Sequence, residues 1–422
     1  MFRFLIKGIF RDRHRYLFPL IIVAGGIMIL VFTLAFMKGY VGSFIRHNAN
    51  FETGHLKVVT NAYAQRINLK PIELAMLDIG DELEQWKQAY PQLEWVKRVS
   101  FGALLDVPDS TGLTRFQGEV AGFAIDFLNS PKEIERMKLD KSLEKGKLPS
   151  TPGEILLSAQ AFDRLELRLG DPVTLISSTV DGAMAMQNFS VVGAVNFGVA
   201  TLDKGAVVAD FEDICSLADM EGGAGEILAY FRHGEYRARE VKAIRDDFNA
   251  RFSGEGEFDP VMISLSEQNN MGYLIRLMDQ SFGIMATIFV LIMGIVLWNS
   301  GLMNGIRRWG EFGVRLAVGE RKSHVYRSLL LEAVVIGIVG SAIGALLGAL
   351  ISLYFKKNGI DLTAYGQNST IVADNVIYTT ISLPMLLTAF IPGVFSTLLG
   401  AALAGIAIFK RQTSQLFKEL ET

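Results

Sequence analysis

The chain has one cysteine, Cys215, in 422 residues, so no intrachain disulfide can form, and any soluble part must be held by its own core. It also lacks a charge excess of either sign. The formal net charge is -3, and the basic residues cluster beside apolar runs instead of forming a stripe, which excludes recruitment of nucleic acid by a global field. The five histidines, His14, His47, His55, His233 and His324, show no spacing that brings two ligands together on one helix or strand. Enzyme signatures are missing too. The Glu-Gly-Gly-Ala-Gly run at 221–225 has no Lys-Ser or Lys-Thr after it and makes no phosphate loop, and no Gly-x-Ser-x-Gly elbow occurs. These absences predict a non-catalytic chain with no metal and no cofactor of its own.

What the chain has in plenty is apolar sequence: 50% hydrophobic residues, with a mean hydropathy of +0.30. These residues concentrate at the N-terminus and in the last third, whereas Phe51 to Pro260 carries charges every few residues, so two kinds of solvent are implied. A membrane span needs about 20 predominantly apolar residues. Leu17–Met37, Phe282–Met303, Leu329–Phe355 and Leu383–Phe409 qualify, with Asn299 and Glu332 as their strongly polar members. A cleaved signal peptide is the alternative for the first, but its apolar run is long and Phe36-Met37-Lys38-Gly39 lacks a small-x-small cleavage site.

Lys and Arg in short flanking segments are retained on the cytoplasmic side. Arg3, Lys7, Arg11, Arg13 and Arg15 precede the first span; Arg307, Arg308, Arg315, Arg321, Lys322 and Arg327 fill the loop between the second and third; Lys410, Arg411 and Lys418 follow the fourth. Both termini are therefore expected inside, with the stretch from about Gly39 to Gln280 outside. The expected organisation is an interfacial amphipathic segment at 1–16, a span with an outward stalk at 17–45, an extracytoplasmic α+β domain at 46–266, a stalk and span at 267–306, a cytoplasmic loop at 307–327, a span at 328–355, an external loop at 356–380, a span at 381–409 and a tail at 410–422. No ionisable group lies near any span's centre, which argues against an ion-coupled carrier. Gly340, Gly344 and Gly348 share one helix face and let another helix approach closely, from this chain or from a second subunit. Pro384 and Pro392 predict a kink in the fourth span.

In the external domain, His55–Thr60 reads as a strand, Ile72–Tyr90 as an amphipathic helix opened by Pro71, and Trp95–Val107 as one or two strands. A similar unit recurs at Ile227–Arg232, Glu235–Phe252 and Pro260–Leu265. Between them Thr114–Gly122, Glu154–Ser158, Pro172–Ser177, Phe189–Val195 and Ala206–Ala209 read as strands, with a helix near Ala159–Leu167. This predicts a split α+β unit with a β-rich insertion at about 111–222.

The cytoplasmic loop reads RRWGEFGVRLAVGER, with a short helix expected over Glu311–Val318, Gly319 in its C-cap position, and Phe312, Arg315 and Leu316 able to project together. This string resembles the signature of the FtsX-like, MacB-type permease family of ABC transporters. The matching residues are Arg308, Glu311, Phe312, Val314, Arg315, Leu316, Ala317, Val318 and Gly319, followed by Leu330, Leu331, Glu332 and Ala333 at the start of a glycine-rich helix. Gly146–Leu175 resembles the MacB-like periplasmic core, and Thr53-Gly54-His55-Leu56-Lys57-Val58 looks like the lipoprotein-releasing LolC/LolE branch.

The resemblance implies a mechanotransmission machine in the inner membrane. Glu311, Phe312, Arg315, Leu316 and Gly319 would contact a cytoplasmic ABC ATPase of the LolD/MacB kind, which holds the ATP and Mg. A second permease, the same or a homologous chain, would pair with this one in the bilayer, and long stalks would move the external domain. Phe36 to Phe44 and the Met271, Leu274, Met278, Phe282 stripe are the stalk candidates. The resemblance implies release of lipoproteins, with a periplasmic chaperone as a further partner; the alternatives are efflux of peptides or amphiphiles, signalling to a cell-wall hydrolase, and a receptor or scaffold that uses no ATPase. In the lipoprotein branch the lipid anchors enter between the first and second spans, which implicates apolar faces of Leu17–Met37 and Phe282–Leu302.

Overall fold

A computed structural model describes residues 13–109, 111–130, 132–198, 200–307, 309–361 and 376–410. The described residues fall into two compact units: one from the residues up to Gly42, Leu277–Asp361 and those from Val376 on, the other from Ser43–Arg276.

The first unit is helical. Four of its helices are long and apolar enough to cross a membrane. We label them, with one short helix, α1 (Arg13–Asn48), α2 (Met271–Arg307), α3 (Trp309–Ala317), α4 (Lys322–Asn358) and α5 (Leu383–Lys410); α1 from Ser43 on and α2 up to Arg276 belong to the second unit. The expected spans lie inside these helices, and the stalk candidates Phe36–Phe44 and Met271–Phe282 are helical throughout. The interfacial segment expected at 1–16 lies outside the described residues except for its last positions, which open α1; the tail after Lys410 also lies outside them. Pro384 falls in the first turn of α5, where a missing N–H removes no helical bond, while Pro392 lies inside the helix.

The bundle core is made where α1, α2, α4 and α5 meet, around Val23, Ile27, Val31, Met293, Ala345 and Ala389. Leu17, Phe18 and Ile21 on α1 and Ile284, Leu291 and Ile295 on α2 point outward although apolar, as side chains facing lipid do.

The second unit is α+β. Its strands are β1 (Leu56–Thr60), β2 (Leu93–Pro108), β3 (Thr114–Ile125), β4 (Leu143–Gly146), β5 (Glu154–Ser158), β6 (Pro172–Ser178), β7 (Met184–Val195), β8 (Ala206–Asp210), β9 (Glu226–Phe231) and β10 (Pro260–Ser264). The order β10-β1-β9-β2 is antiparallel throughout. Each βαβ half therefore contributes strands that interleave with the other's, the arrangement of a split βαβ sheet. β2 is long enough to serve twice. Leu93 to Arg98 pair with β9, and Val99 to Pro108 pair with β3. From there β2, β3, β8, β5, β7 and β6 pair in turn and β6 returns to β2, which closes the insertion into a small barrel. Closure leaves these strands no free edge. Phe101, Leu105, Leu157, Val173, Phe189, Val191 and Val207 belong to the larger core of this unit, and Phe123, Ile125, Leu156, Val192 and Val208 to a second one.

One expected element is corrected. Ile72–Tyr90 is not a single helix: a 3₁₀ turn at Ile72–Leu74 gives way to extended chain, and the α-helix covers only Gly80–Ala89. The cause is tertiary. Met76 pairs with Ala224 through backbone hydrogen bonds of 3.0 and 2.9 Å, and Asp78 then adopts a positive φ of 50° that a helix does not allow. Ile72, Ala75 and Ile79, whose spacing reads as helical, are buried all the same.

Candidate functional site

Two features of the helical unit face outward with shape and chemistry suited to a partner. The first is a groove of about 290 Å³ between α1 and α2, with Leu30, Thr33, Leu34 and Met37 on one wall and Phe282, Met285, Ala286 and Phe289 on the other. Among the described lining residues Thr33 alone bears a hydroxyl and none is charged, so they offer almost no directional bonding. A guest held there would be selected by apolar volume. The walls have helical periodicity: Leu30, Thr33, Leu34 and Met37 recur at three- and four-residue spacing on one face of α1. These residues fall within the two segments singled out from sequence.

Behind the groove α1 is held tightly. Gly340, Gly344 and Gly348 of α4 lie directly on it: a Cβ at Gly340 would meet Val23, one at Gly344 the Ala24 carbonyl, and one at Gly348 the Met28 carbonyl and Val31. The partner of the glycine face is thus the first helix of the same chain. Such contact gains dispersion energy without the rotamer entropy that larger side chains would lose.

The second feature is α3. It ends in a Schellman motif, with the Gly319 N–H bonded to Leu316 O at 3.1 Å and the Glu320 N–H to Arg315 O at 3.0 Å. Gly319 has φ of +95°, which explains why a glycine stands there. Leu316, expected at a docking surface, is half-buried and packs with Leu329 against the buried Val325 of α4. Arg315 is exposed. Beside it Val314 is 54% and Val318 84% exposed, one turn apart. The sequence places both valines among the motif matches but not among the expected contact residues; apolar residues at four-residue spacing on a helix too short to have a core of its own were the available signal. The Glu311 and Phe312 side chains and Arg308 lie outside what is described.

In the α+β unit, two buried groups are shifted by burial and by the partners packed against them. Glu226 is buried, which disfavours its charge, yet the Lys57 ammonium at 2.8 Å and the Tyr63 hydroxyl at 2.7 Å hold its carboxyl below the usual range. Burial pushes the Cys215 thiol up to about 12, so it is an inert core residue. Among the described residues no group of three or more His, Cys, Asp or Glu side chains is placed to hold a metal ion.

Four helices long and apolar enough to cross a membrane, a short amphipathic helix between the second and third, and an α+β domain between the first two define the architecture of a polytopic membrane protein. Residues 283–413 match the family model described as FtsX-like permease C-terminal, so this part of the chain is similar to FtsX-like permease domains. The chain is similar to the macrolide export ATP-binding/permease protein MacB of Shewanella sp. (strain ANA-3), 36% identical over 88 residues that make up 21% of this chain and 13% of that protein. MacB of Wolinella succinogenes is 25% identical over 208 residues, 44% of this chain and 32% of that protein. The lipoprotein-releasing system transmembrane protein LolC of Xylella fastidiosa is 25% identical over 259 residues, 59% of this chain and 60% of the relative. The chain thus spans less than two thirds of the length of each of these relatives. Among solved structures, the periplasmic region of MacB from Actinobacillus actinomycetemcomitans aligns at 13% identity and a TM-score of 0.34, over 53% of this chain and 93% of that one.

Proposed function

We propose that this chain is the permease subunit of an ABC transporter of the mechanotransmission type, which uses ATP hydrolysed by a separate subunit to release lipoproteins from the inner membrane. The observation that carries the reading is the uncharged groove between α1 and α2. An acyl chain drawn from a bilayer into water costs about 0.8 kcal/mol per methylene, or about 13 kcal/mol for roughly sixteen carbons. A groove walled by Leu30, Leu34, Met285 and Phe289 would let such a chain leave the lipid without meeting water. Similarity to a lipoprotein-releasing permease over 59% of the chain supports the same substrate class.

In this reading both termini are cytoplasmic and the α+β domain stands in the periplasm, where a chaperone receives the product. ATP and Mg sit on the partner ATPase, which docks on α3 through Val314, Arg315 and Val318 together with Glu311 and Phe312. A second permease, the same or a homologous chain, completes the membrane unit. Efflux of amphiphiles is the second reading, favoured by the higher identity, 36%, of the shorter MacB match.

The test is affinity purification of the detergent-solubilised chain, identification of co-purifying proteins by mass spectrometry, and ATP hydrolysis with and without lipoprotein. A soluble ATPase whose turnover rises with lipoprotein is expected. Stimulation by a macrolide but not by lipoprotein would select efflux, and recovery of no ATPase would sink both readings.

A further inference from the structure

The end of α1 is unusual. A helix leaves its last carbonyls without intrahelical partners, and α1 runs on into a π-helical turn, Ala49–Thr53, closed by the Gly54 N–H on Ala49 O at 2.9 Å. Side chains from separate parts of the α+β unit take up the carbonyls of this turn. Tyr230 on β9 donates its hydroxyl to Ala49 O at 3.0 Å. Arg98 on β2 forks, Nη2 donating to Asn50 O at 3.1 Å and Nη1 to Phe51 O at 2.9 Å. Gln268, just after β10, donates Nε2 to Thr53 O at 3.2 Å. In the other direction Asn50 Nδ2 donates to Arg136 O at 3.0 Å. β2 and β9 are neighbours inside the sheet, so Arg98 and Tyr230 fasten the turn to its interior.

Arg98 is the centre of this arrangement. It is 1% exposed, and Glu133, buried as well, accepts from its Nη2 at 2.8 Å. Arg136 lies 3.8 Å over the Tyr230 ring and so backs the next donor along. A buried ion pair is a poor route to stability, because desolvation offsets the attraction and well-packed hydrophobes of the same volume do as well. What hydrophobes cannot do is place a planar fork on two consecutive helix-end carbonyls, whose partial negative charge favours a cation.

We propose that Arg98 is a positioning residue that, with Glu133 as counter-ion, locks the terminal turn of α1 to the inner strands of the α+β domain. A displacement of α1 is then carried into the sheet instead of being absorbed by unwinding of the turn. This rests on the reading that ATP-driven motion passes through the chain.

The test uses the full chain with its co-purified ATPase. The paired variant Arg98→Met/Glu133→Leu removes both charges and leaves no lone buried ion; Arg98→Lys keeps the ion pair but loses the fork. Hydrogen–deuterium exchange at residues 48–55 is expected to rise about tenfold or more in both, with β9 protected as in the wild type. ATP hydrolysis should persist but no longer respond to lipoprotein. Unchanged exchange at 48–55 would overturn the proposal, and so would wild-type stimulation in a variant whose turn has loosened. If the paired variant loses protection throughout the domain, Arg98→Lys decides. Failure of the wild type to bring down any ATPase would instead defeat the functional reading, and exchange alone would then decide whether Arg98 holds the turn.

Discussion

Lys57 on β1 and Glu226 on β9 form a salt bridge of 2.8 Å between side chains each 1% exposed, with the Tyr63 hydroxyl donating to the other carboxylate oxygen. Removing one partner leaves an uncompensated charge in the core. Lys57→Met is therefore expected to destabilise the α+β domain by about 3–5 kcal/mol, whereas Lys57→Met combined with Glu226→Gln should recover a large part of that loss. Denaturant unfolding of the full chain, followed by near-ultraviolet circular dichroism, checks both. Equal losses in the single and double variants would show that the pair is not what holds this part of the sheet.

That pair marks the boundary of what the sequence makes legible. The strands were readable because β-branched runs between turn residues carry their own signal: Glu154–Ser158 is observed as expected, and Trp95–Val107 lies within Leu93–Pro108. The four spans follow from apolar length alone. Lys57 and Arg98 look like solvent-facing positions of a strand, and only the covering of both sheet faces, a tertiary fact, buries them. For the same reason Ile72–Tyr90 kept a helical spacing while Met76 was drawn into pairing with Ala224. On α3, motif spacing located the helix and Gly319, but Leu316 could not be told from Val318 without knowing which face α4 covers.

His55 should make the α+β domain acid-sensitive. Burial, then Arg136 and His233, lower its pKa from 6.5 to about 4, and its Nδ1 accepts the Phe231 N–H at 3.1 Å. The folded state thus binds the proton less readily than the unfolded chain, so this stability is full above pH 6.5 and is lost as pH falls towards 4. At about 1.4 kcal/mol per pKa unit the loss amounts to about 3 kcal/mol. Unfolding free energies measured between pH 7 and 4 should show this slope, and His55→Gln should flatten it.

Gly344 and Gly283 are both helical glycines in the membrane unit, but they should respond oppositely to an added methyl. At Gly344 a Cβ would overlap the Ala24 carbonyl, which α1 cannot move without shifting as a body; at Gly283 nothing lies within 4 Å. Gly344→Ala is expected to destabilise by about 1–3 kcal/mol, and Gly283→Ala to be neutral or to stabilise by up to about 1 kcal/mol through helix propensity. Thermal inactivation in detergent measures the difference.

The faces of α3 predict a separation of function. Leu316 packs on Val325, so Leu316→Ala should lower the stability of the α3–α4 corner. Val318 is 84% exposed and contributes almost nothing to this chain's own core, so Val318→Asp should leave folding and membrane insertion unchanged. If Val314, Arg315 and Val318 form the ATPase contact, the aspartate brings a charge that must be desolvated in an apolar interface. Truncating or charging a central contact residue commonly weakens binding by about 2 kcal/mol or more, roughly thirtyfold. Recovery of the ATPase on the purified chain should fall accordingly in Val318→Asp. In Leu316→Ala the recovery per folded molecule should stay closer to wild type, a difference that size-exclusion chromatography of each variant before the binding measurement makes visible. Full recovery with Val318→Asp would mean that the contact lies on another face of the helix.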